Sequence, residues 1–520
     1  IFVSAQRRCG EMEENMKKIN ELKAGALLSY VNLGISTIIP FFYTPIMLRL
    51  MGQAEYGLYS LANSVISYLS LLTFGMGGAV IRYITKFRAE KKKEAEEGVI
   101  GLFLIFYCIT ALLVCVIGIV IMLNTKTFFS KGLTSIEINK LKVLVIIMTL
   151  STAVSFPVSV ISSVVVAHEK YIFQKSIDII SSSLLPVINL IILSLGYRSI
   201  GLSLVGLFMQ ISYGIIYIIY CMNRLQIKPR FDNMPFELGK EIFSFSCFIF
   251  IGMIADLLYW STDKVLIGAM IGSTAVAVYN VGGVFTTMLQ NMSGAISNVF
   301  VPKITSMVVL KNDTHELSEL LIRIGRIQYY IVSLIITGFA VFGKNFIHYW
   351  SGDKYMDSYY IALITMIPIA VPLIQNIAYN IILAQNKHSF RSIMYLVIAV
   401  VNMISTYLVI PRYGIIGAAL CTCFAYLIGN GLILNIYYWK NIHLEIPLFW
   451  KNIINNSIVP ILMLLVGSYF INHILIPNSL VKLCTYIIAY TCIYFILSWF
   501  ISMNEYEKKL FKSIFVKFIH

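Results

Sequence analysis

The sequence predicts an all-α polytopic membrane protein with fourteen transmembrane helices: two parallel six-helix repeats followed by two further helices. Three observations predict it. The 520 residues are 58% hydrophobic and 12% charged, with a mean hydropathy of +0.81, which is more apolar surface than one soluble core can bury. From Ala24 to Ile501, apolar stretches follow one another almost without a gap. The second half of that series repeats the first at an offset of about 217 to 220 residues.

A spanning helix needs about 20 apolar residues, because the hydrocarbon is roughly 30 Å thick and a helix rises about 1.5 Å per residue. Lipid leaves no partner for an unpaired backbone group, so each stretch must be helical. Charge clusters and Pro or Gly punctuation place the spans at 24–48, 57–81, 98–123, 143–167, 176–195, 200–222, 242–262, 275–300, 327–349, 358–383, 390–410, 414–438, 452–475 and 483–503. Residues 1–23 then form an N-terminal segment, 24–222 a first lobe, 223–241 a linker and 242–440 a second lobe. Spans 13 and 14 occupy 441–503, and 504–520 is a basic tail.

Orientation follows from the cations. Of the 40 Lys and Arg, 29 fall at the termini and in the loops after even-numbered spans, and 11 in the other loops. The positive-inside rule therefore places both termini and the cluster Arg82, Lys86, Arg88, Lys91, Lys92 and Lys93 in the cytoplasm. The net charge of +15 is this topology signal. Scattered over eight short segments, it forms no face for nucleic acid.

The repeat is legible in three blocks. AHEKYIF from Ala167 returns as AQNKHSF from Ala384, and YRSIGLSLVGLF from Tyr197 as YGIIGAALCTCF from Tyr413. LMGQAEYGLYS from Leu50 aligns with MIGSTAVAVYN from Met270, pairing Gly52 with Gly272 and Tyr59 with Tyr279. Six spans per copy is an even number, so both copies insert the same way up. Two matched bundles facing a central cleft are a common build for an alternating-access transporter.

The six-plus-six-plus-two arrangement, with TPIMLRLMGQAEYGLYSLANSV leaving span 1 and DKVLIGAMIGSTAVAVYNVGGV leaving span 7, resembles a known family. This is the polysaccharide transporter family of the multidrug/oligosaccharidyl-lipid/polysaccharide exporter superfamily, the flippases for lipid-linked oligosaccharide repeat units. The resemblance covers spans 1 to 14. It implies a V-shaped pair of lobes, no ATPase domain and no cofactor. The implied substrate is an undecaprenyl-pyrophosphate-linked glycan, moved to the outer leaflet of a bacterial cytoplasmic membrane for capsule or O-antigen synthesis. Implied partners are membrane lipids, H+ or Na+ as coupling ion, and the polysaccharide polymerase and chain-length machinery. A cation-coupled multidrug exporter of the same superfamily is the second reading, and an integral-membrane glycan polymerase or ligase the third.

Charge inside a bilayer is expensive and points to function. If span 7 enters at Ile242, Asp256 lies about 21 Å along it, and Asp263 and Lys264 about 31 to 33 Å. The two acids are seven residues apart and are expected to share a face turned to the cleft of spans 1, 2, 7 and 8. Asp256 is a candidate site for a cation, a proton or sugar hydroxyls; its structural alternative is an interhelical hydrogen-bond partner. Asp263 and Lys264 have the blander reading of neutralising each other at the outer interface. Tyr259 and Trp260 have rings suited to sugars, although interfacial anchoring is the commoner use. In span 8, Asn280, Thr287, Asn291 and Asn298 fall on one line, either lining the cleft or joining helices. At offset 220 the first copy has Ser60, Ser67, Leu71 and Gly78, and Ser36 and Tyr43 stand for the two acids. The copies share a scaffold and differ in chemistry.

A pyrophosphate favours Arg for its bidentate fork. Arg49 ends span 1 on the outer side, Arg82 ends span 2 on the inner side, and Lys264, Arg323 and Arg326 complete the candidates. All are near an interface, where topology and headgroup anchoring compete as explanations. No Walker A loop, HEXXH or metal-spaced Cys or His cluster occurs. Eight of the nine Cys lie in spans, and Cys421 and Cys423 point about 200° apart, which reads as packing. The longest outer loop, 124–142, is short for the enzyme of the third reading. IFVSAQRRCGE has no apolar signal-peptide core, so Met12 or Met16 is the expected natural start.

Overall fold

A computed structural model describes residues 2–232, 250–310, 313–387, 389–474 and 477–519. The expected linker from 233 and the entry of span 7 at 242–249 lie outside the described residues. Among the described residues every regular element is a helix. In chain order these are α1 (Phe2–Met51), α2 (Gln53–Ser67), α3 (Gly77–Ala89), α4 (Lys93–Phe129), α5 (Ser135–Ala167), α6 (Tyr171–Ser194), α7 (Arg198–Tyr220), α8 (250–260), α9 (Thr262–Met270) and α10 (Ser273–Asn298). There follow α11 (Val301–Val309), α12 (Thr314–Trp350), α13 (Ser358–Ile374), α14 (Asn376–Ala384), α15 (Ser389–Tyr426), α16 (Leu434–Lys440), α17 (Ile446–Asn456), α18 (Ile458–His473), α19 (Leu480–Leu497) and α20 (Glu505–Ile519).

Among the described residues, ten helical segments are long and apolar enough to cross a bilayer, and twelve if two bent pairs count as one span each. The sequence predicts fourteen. Span 7 is only partly described, and spans 11 and 12 run together from Ser389 to Lys440, divided only where Gly414 takes φ 58° and ψ −143°. The bent pairs are α10 with α11 and α13 with α14, each broken by 47°. Pro302 starts α11, while Pro368 and Pro372 lie inside α13, where each removes a backbone donor. Span 2 is also broken: α2 passes into a 3-10 turn, Tyr68–Thr73, and Phe74 turns left-handed at φ 49° before α3.

The chain divides into two compact units, Ile1–Val276 and Ala277–His520. In the first, α5 packs on α2, α3, α4 and α7, and α1 packs along α6. Small residues bring these helices close, since lipid offers no hydrophobic drive to association. A Cβ on Gly118 would stand 2.3 Å from the Thr149 methyl, so α4 and α5 touch at that glycine. In the second unit α12 is the hub, contacting α13, α17, α18 and α19. Spans 13 and 14 are fixed to it through Val341, Phe342, Met463 and Tyr490, the Phe342 and Tyr490 rings meeting edge to face at 5.4 Å.

The repeat extends to backbone detail. Gly52 and Gly272 are both left-handed, at φ 80° and 135°, each opening the helix of an even-numbered span. Glu169 and Asn386 share φ near 60°, and Arg198 and Gly414 are the next matched positive-φ pair. Phe173 stacks on Tyr220 at 3.7 Å, as Phe390 stacks on Tyr437 at 4.4 Å. The offset is 216 at Tyr413 and 217 again at Tyr437. Between them lies a π-helical stretch, Leu427–Ile433, whose wider turn takes in one extra residue.

Candidate functional site

The segment 250–276 carries five of the expected site residues, and it packs within the first unit. α8 ends at Ser261, where the helix is interrupted before α9 begins. Its packed face holds Ala255 and Tyr259, 1% and 3% exposed, whereas Asp256 is exposed. Asp263, in the first turn of α9, is 1% exposed. The two acids therefore occupy opposite environments. Trp260 and Lys264 are half-buried beside them.

The partners of this segment come from span 2. Ser67 and Ser261 hydroxyls lie 2.9 Å apart, and Tyr68 and Thr262 hydroxyls 2.5 Å. Span 2 presents them on a ladder in which each hydroxyl donates three or four residues back: Ser64 to Ser60, Ser67 to Ser64, Ser70 to Ser67 and Thr73 to Ser70. Such back-bonding competes with the regular helical pattern, and the ladder runs into the 3-10 turn. Beyond it, glycines allow backbone contact. A Cβ on Gly57 would be 1.8 Å from the Ser273 carbonyl oxygen, and one on Gly132 would be 2.3 Å from that of Gly268. The Ser273 hydroxyl also donates to Glu137.

In the second unit α10 has two polar faces. Thr286, Ser293 and Ser297 are buried, 1 to 3% exposed. Thr286 meets Thr365 at 2.8 Å, and Ser293 donates to the Leu373 carbonyl at 3.1 Å while accepting from Asn376 at 3.1 Å. Thr287, Asn291 and Asn298 lie on the other side and are exposed; Asn280 is half-buried. Small hydroxyls on the buried face thus join α10 to α13 and α14.

The basic candidates are dispersed. Arg49 is exposed at the end of α1, and Arg82 is exposed on α3, its Cζ 6.0 Å from the adjacent Tyr83 ring. Arg323 lies over Tyr506 at 4.3 Å. Arg326 is 8% exposed and ion-paired with Glu507, which makes it a structural residue and not a headgroup anchor.

Sequence reasoning missed Glu55, Glu507 and Arg391. Glu55 is buried at the start of α2, paired with Lys140 of α5 and accepting from Ser199 of α7 at 2.6 Å. An acid inside the otherwise apolar LMGQAEYGLYS block was the available signal for it. Among the described residues no group of three or more metal-ligating side chains occurs.

The pattern of the family described as "Polysaccharide biosynthesis protein" matches residues 22–308, more than half of the chain. An uncharacterized membrane protein of Methanocaldococcus jannaschii is 24% identical over 387 residues, 70% of this chain and 74% of that one. The uncharacterized membrane protein EpsK of Bacillus subtilis is 18% identical over 428 residues, 81% and 83% of the two chains. Among solved structures, the lipid II flippase MurJ in an inward closed conformation aligns with a TM-score of 0.71 at 16% identity, over 92% of this chain and 98% of MurJ. An inward-facing multidrug resistance MATE transporter of the MOP superfamily aligns with a TM-score of 0.62 at 15% identity, over 81% and 99%. The chain is a multi-pass membrane protein of the polysaccharide biosynthesis protein family, with the fold shared by these flippase and exporter structures.

Proposed function

We propose that the protein is a flippase, not an enzyme, which carries undecaprenyl-pyrophosphate-linked oligosaccharide repeat units across a bacterial cytoplasmic membrane by alternating access. Both termini are cytoplasmic in this reading. The observation that carries it is the amide face of α10. Thr287, Asn291 and Asn298 are turned away from the packed side of their unit, while other hydroxyls satisfy the interhelical bonds. Amides facing hydrocarbon would be unfavourable, so this face suits a wetted path for sugar hydroxyls. In the first unit, Asp256, Arg49 and Arg82 are exposed polar groups whose chemistry suits sugar hydroxyls and phosphate.

The cation-coupled exporter remains the second reading because one specific observation favours it: Asp263 is buried next to Thr262, whose hydroxyl meets that of Tyr68. An H+ or Na+ gradient fits either reading. The test is a gene knockout followed by mass analysis of lipid-linked glycans. Accumulation of one cytoplasmic-leaflet intermediate is the expected result, and altered drug sensitivity with an unchanged glycan pool would reject the flippase.

A further inference from the structure

At the start of α15 the second unit holds a cation clamped between two aromatic rings. The Cζ of Arg391 lies 3.9 Å from the centroid of Tyr379 and 4.6 Å from that of Tyr395. A guanidinium between two π faces is attracted to both and loses freedom before any ligand arrives. Tyr395 is held in turn, donating its hydroxyl to the Asn430 side chain at 3.0 Å inside the π-helical stretch. The Asn430 carbonyl accepts from Asn435 at 2.6 Å, Asn435 and Gln375 exchange bonds at 2.7 and 3.3 Å, and Trp450 donates to Asn435 at 2.8 Å. Asn430 is 2% exposed, and its own amide nitrogen has no partner.

This network runs from Gln375, at the bend before α14, to Trp450 of α17 and ends on Arg391, which is half-buried. The loop before α15 is fixed beside it, because Tyr437 donates to the Lys387 carbonyl at 3.1 Å and stacks on Phe390. The orphan N–H groups of the first turn of α15 add to the positive potential here. The scaffold does not require the arrangement: at offset 217 the first copy has Gln174, Ser162 and Asp178 in place of Arg391, Tyr379 and Tyr395.

We propose that this cluster is a binding site for the phosphate of a lipid headgroup, with Arg391 making the phosphate contact and Tyr379 and Tyr395 holding its fork in place. The planar guanidinium fork matches two phosphate oxygens, and a charge-assisted pair of this kind is about twice as strong as a neutral one. The choice of phosphate rests on the reading of the chain as a carrier of pyrophosphate-linked glycan. The test below reads binding to the purified chain, so it succeeds or fails independently of the knockout.

The full-length protein in detergent micelles is titrated with farnesyl pyrophosphate, with farnesol as the phosphate-free control. The wild type is expected to bind the first and not the second. Arg391→Ala should weaken binding roughly 10- to 100-fold, with Arg391→Lys between the two and melting temperatures of both variants near that of the wild type. If either variant fails to fold, Tyr379→Leu replaces it and should weaken binding severalfold. Competition by phosphatidylglycerol assigns the site to bulk lipid phosphate, and indifference to it assigns the site to a pyrophosphate headgroup. Equal binding of farnesol, or unchanged affinity in Arg391→Ala, would overturn the proposal.

Discussion

The guanidinium of Arg326 on α12 closes on the carboxylate of Glu507 on α20, with Nε 2.6 Å from one oxygen and Nη2 2.9 Å from the other. The same Nη2 also donates to the Ser502 carbonyl, and Tyr330 lies between them. Glu507 is held from its own helix too: Asn504 donates its backbone N–H to the carboxylate and accepts the Glu507 N–H, so the acid caps α20 while pairing with α12. One buried pair thereby fastens the C-terminal helix to the hub of the second unit.

Removing one partner leaves the other charge buried and alone. Glu507→Ala should destabilise the protein by about 3–5 kcal/mol, whereas the double variant Arg326→Met with Glu507→Leu should recover most of that loss. Thermal melting followed by gel filtration measures both. A double variant no more stable than the single one would show that the pair itself, not the desolvated charge, carries the effect.

Two glycines of the same turn should respond differently to alanine. Gly52 has open space around it, so Gly52→Ala meets only the strain of φ 80° with ψ 161°, a conformation essentially reserved to glycine, at a cost of about 1–3 kcal/mol. At Gly57 the new methyl would overlap the Ser273 carbonyl, and the helices must part, for at least about 1–3 kcal/mol and loss of the Ser273 to Glu137 bond. Adding Ser273→Ala should cost little more beside Gly57→Ala, where the bond to Glu137 is already lost, and its full amount beside Gly52→Ala; equal added costs in thermal melts would contradict this.

The two polar faces of α10 predict separable phenotypes. Asn291→Ala with Asn298→Ala should lower glycan export while leaving the melting temperature unchanged. Ser293→Ala, which loses bonds to Leu373 and Asn376, should lower stability by about 1 kcal/mol. The comparison needs an export assay in the knockout and a melt of each purified variant.

Asp256→Asn changes the charge of an exposed side chain while keeping its size and hydrogen-bonding capacity, and should impair export with insertion and melting temperature intact. Asp263→Asn changes a buried group and should shift the melting temperature as well. Full glycan export by Asp256→Asn would remove Asp256 from the transport path.

Periodicity and hydropathy made the helical class, most spans and the duplication legible, because each is written in local composition. Tyr197 and Gly201, matched in the repeat by Tyr413 and Gly417, make the same contact in both copies: a Cβ on the glycine would strike the Tyr Cβ at 2.6 Å in the first and 2.7 Å in the second. The site was legible only in part. Asp256 and Asp263 fall on one face of an ideal helix, but the break at Ser261 separates them into exposed and buried positions. Arg391 resembled any other interfacial cation because Tyr379, Tyr395 and the network behind them come from different spans.

What the sequence by itself determined is the solvent, the class and the doubled scaffold, since a bilayer leaves an apolar chain no alternative to helices and a repeat in sequence becomes a repeat in turns. What only the tertiary structure decided is which polar groups are spent on holding helices together. Arg326, Glu507, Glu55 and Ser293 are consumed that way, while Asn291 and Asn298 remain turned outward. Sequence distance carries no information on that division, because each bond joins residues tens to nearly two hundred positions apart.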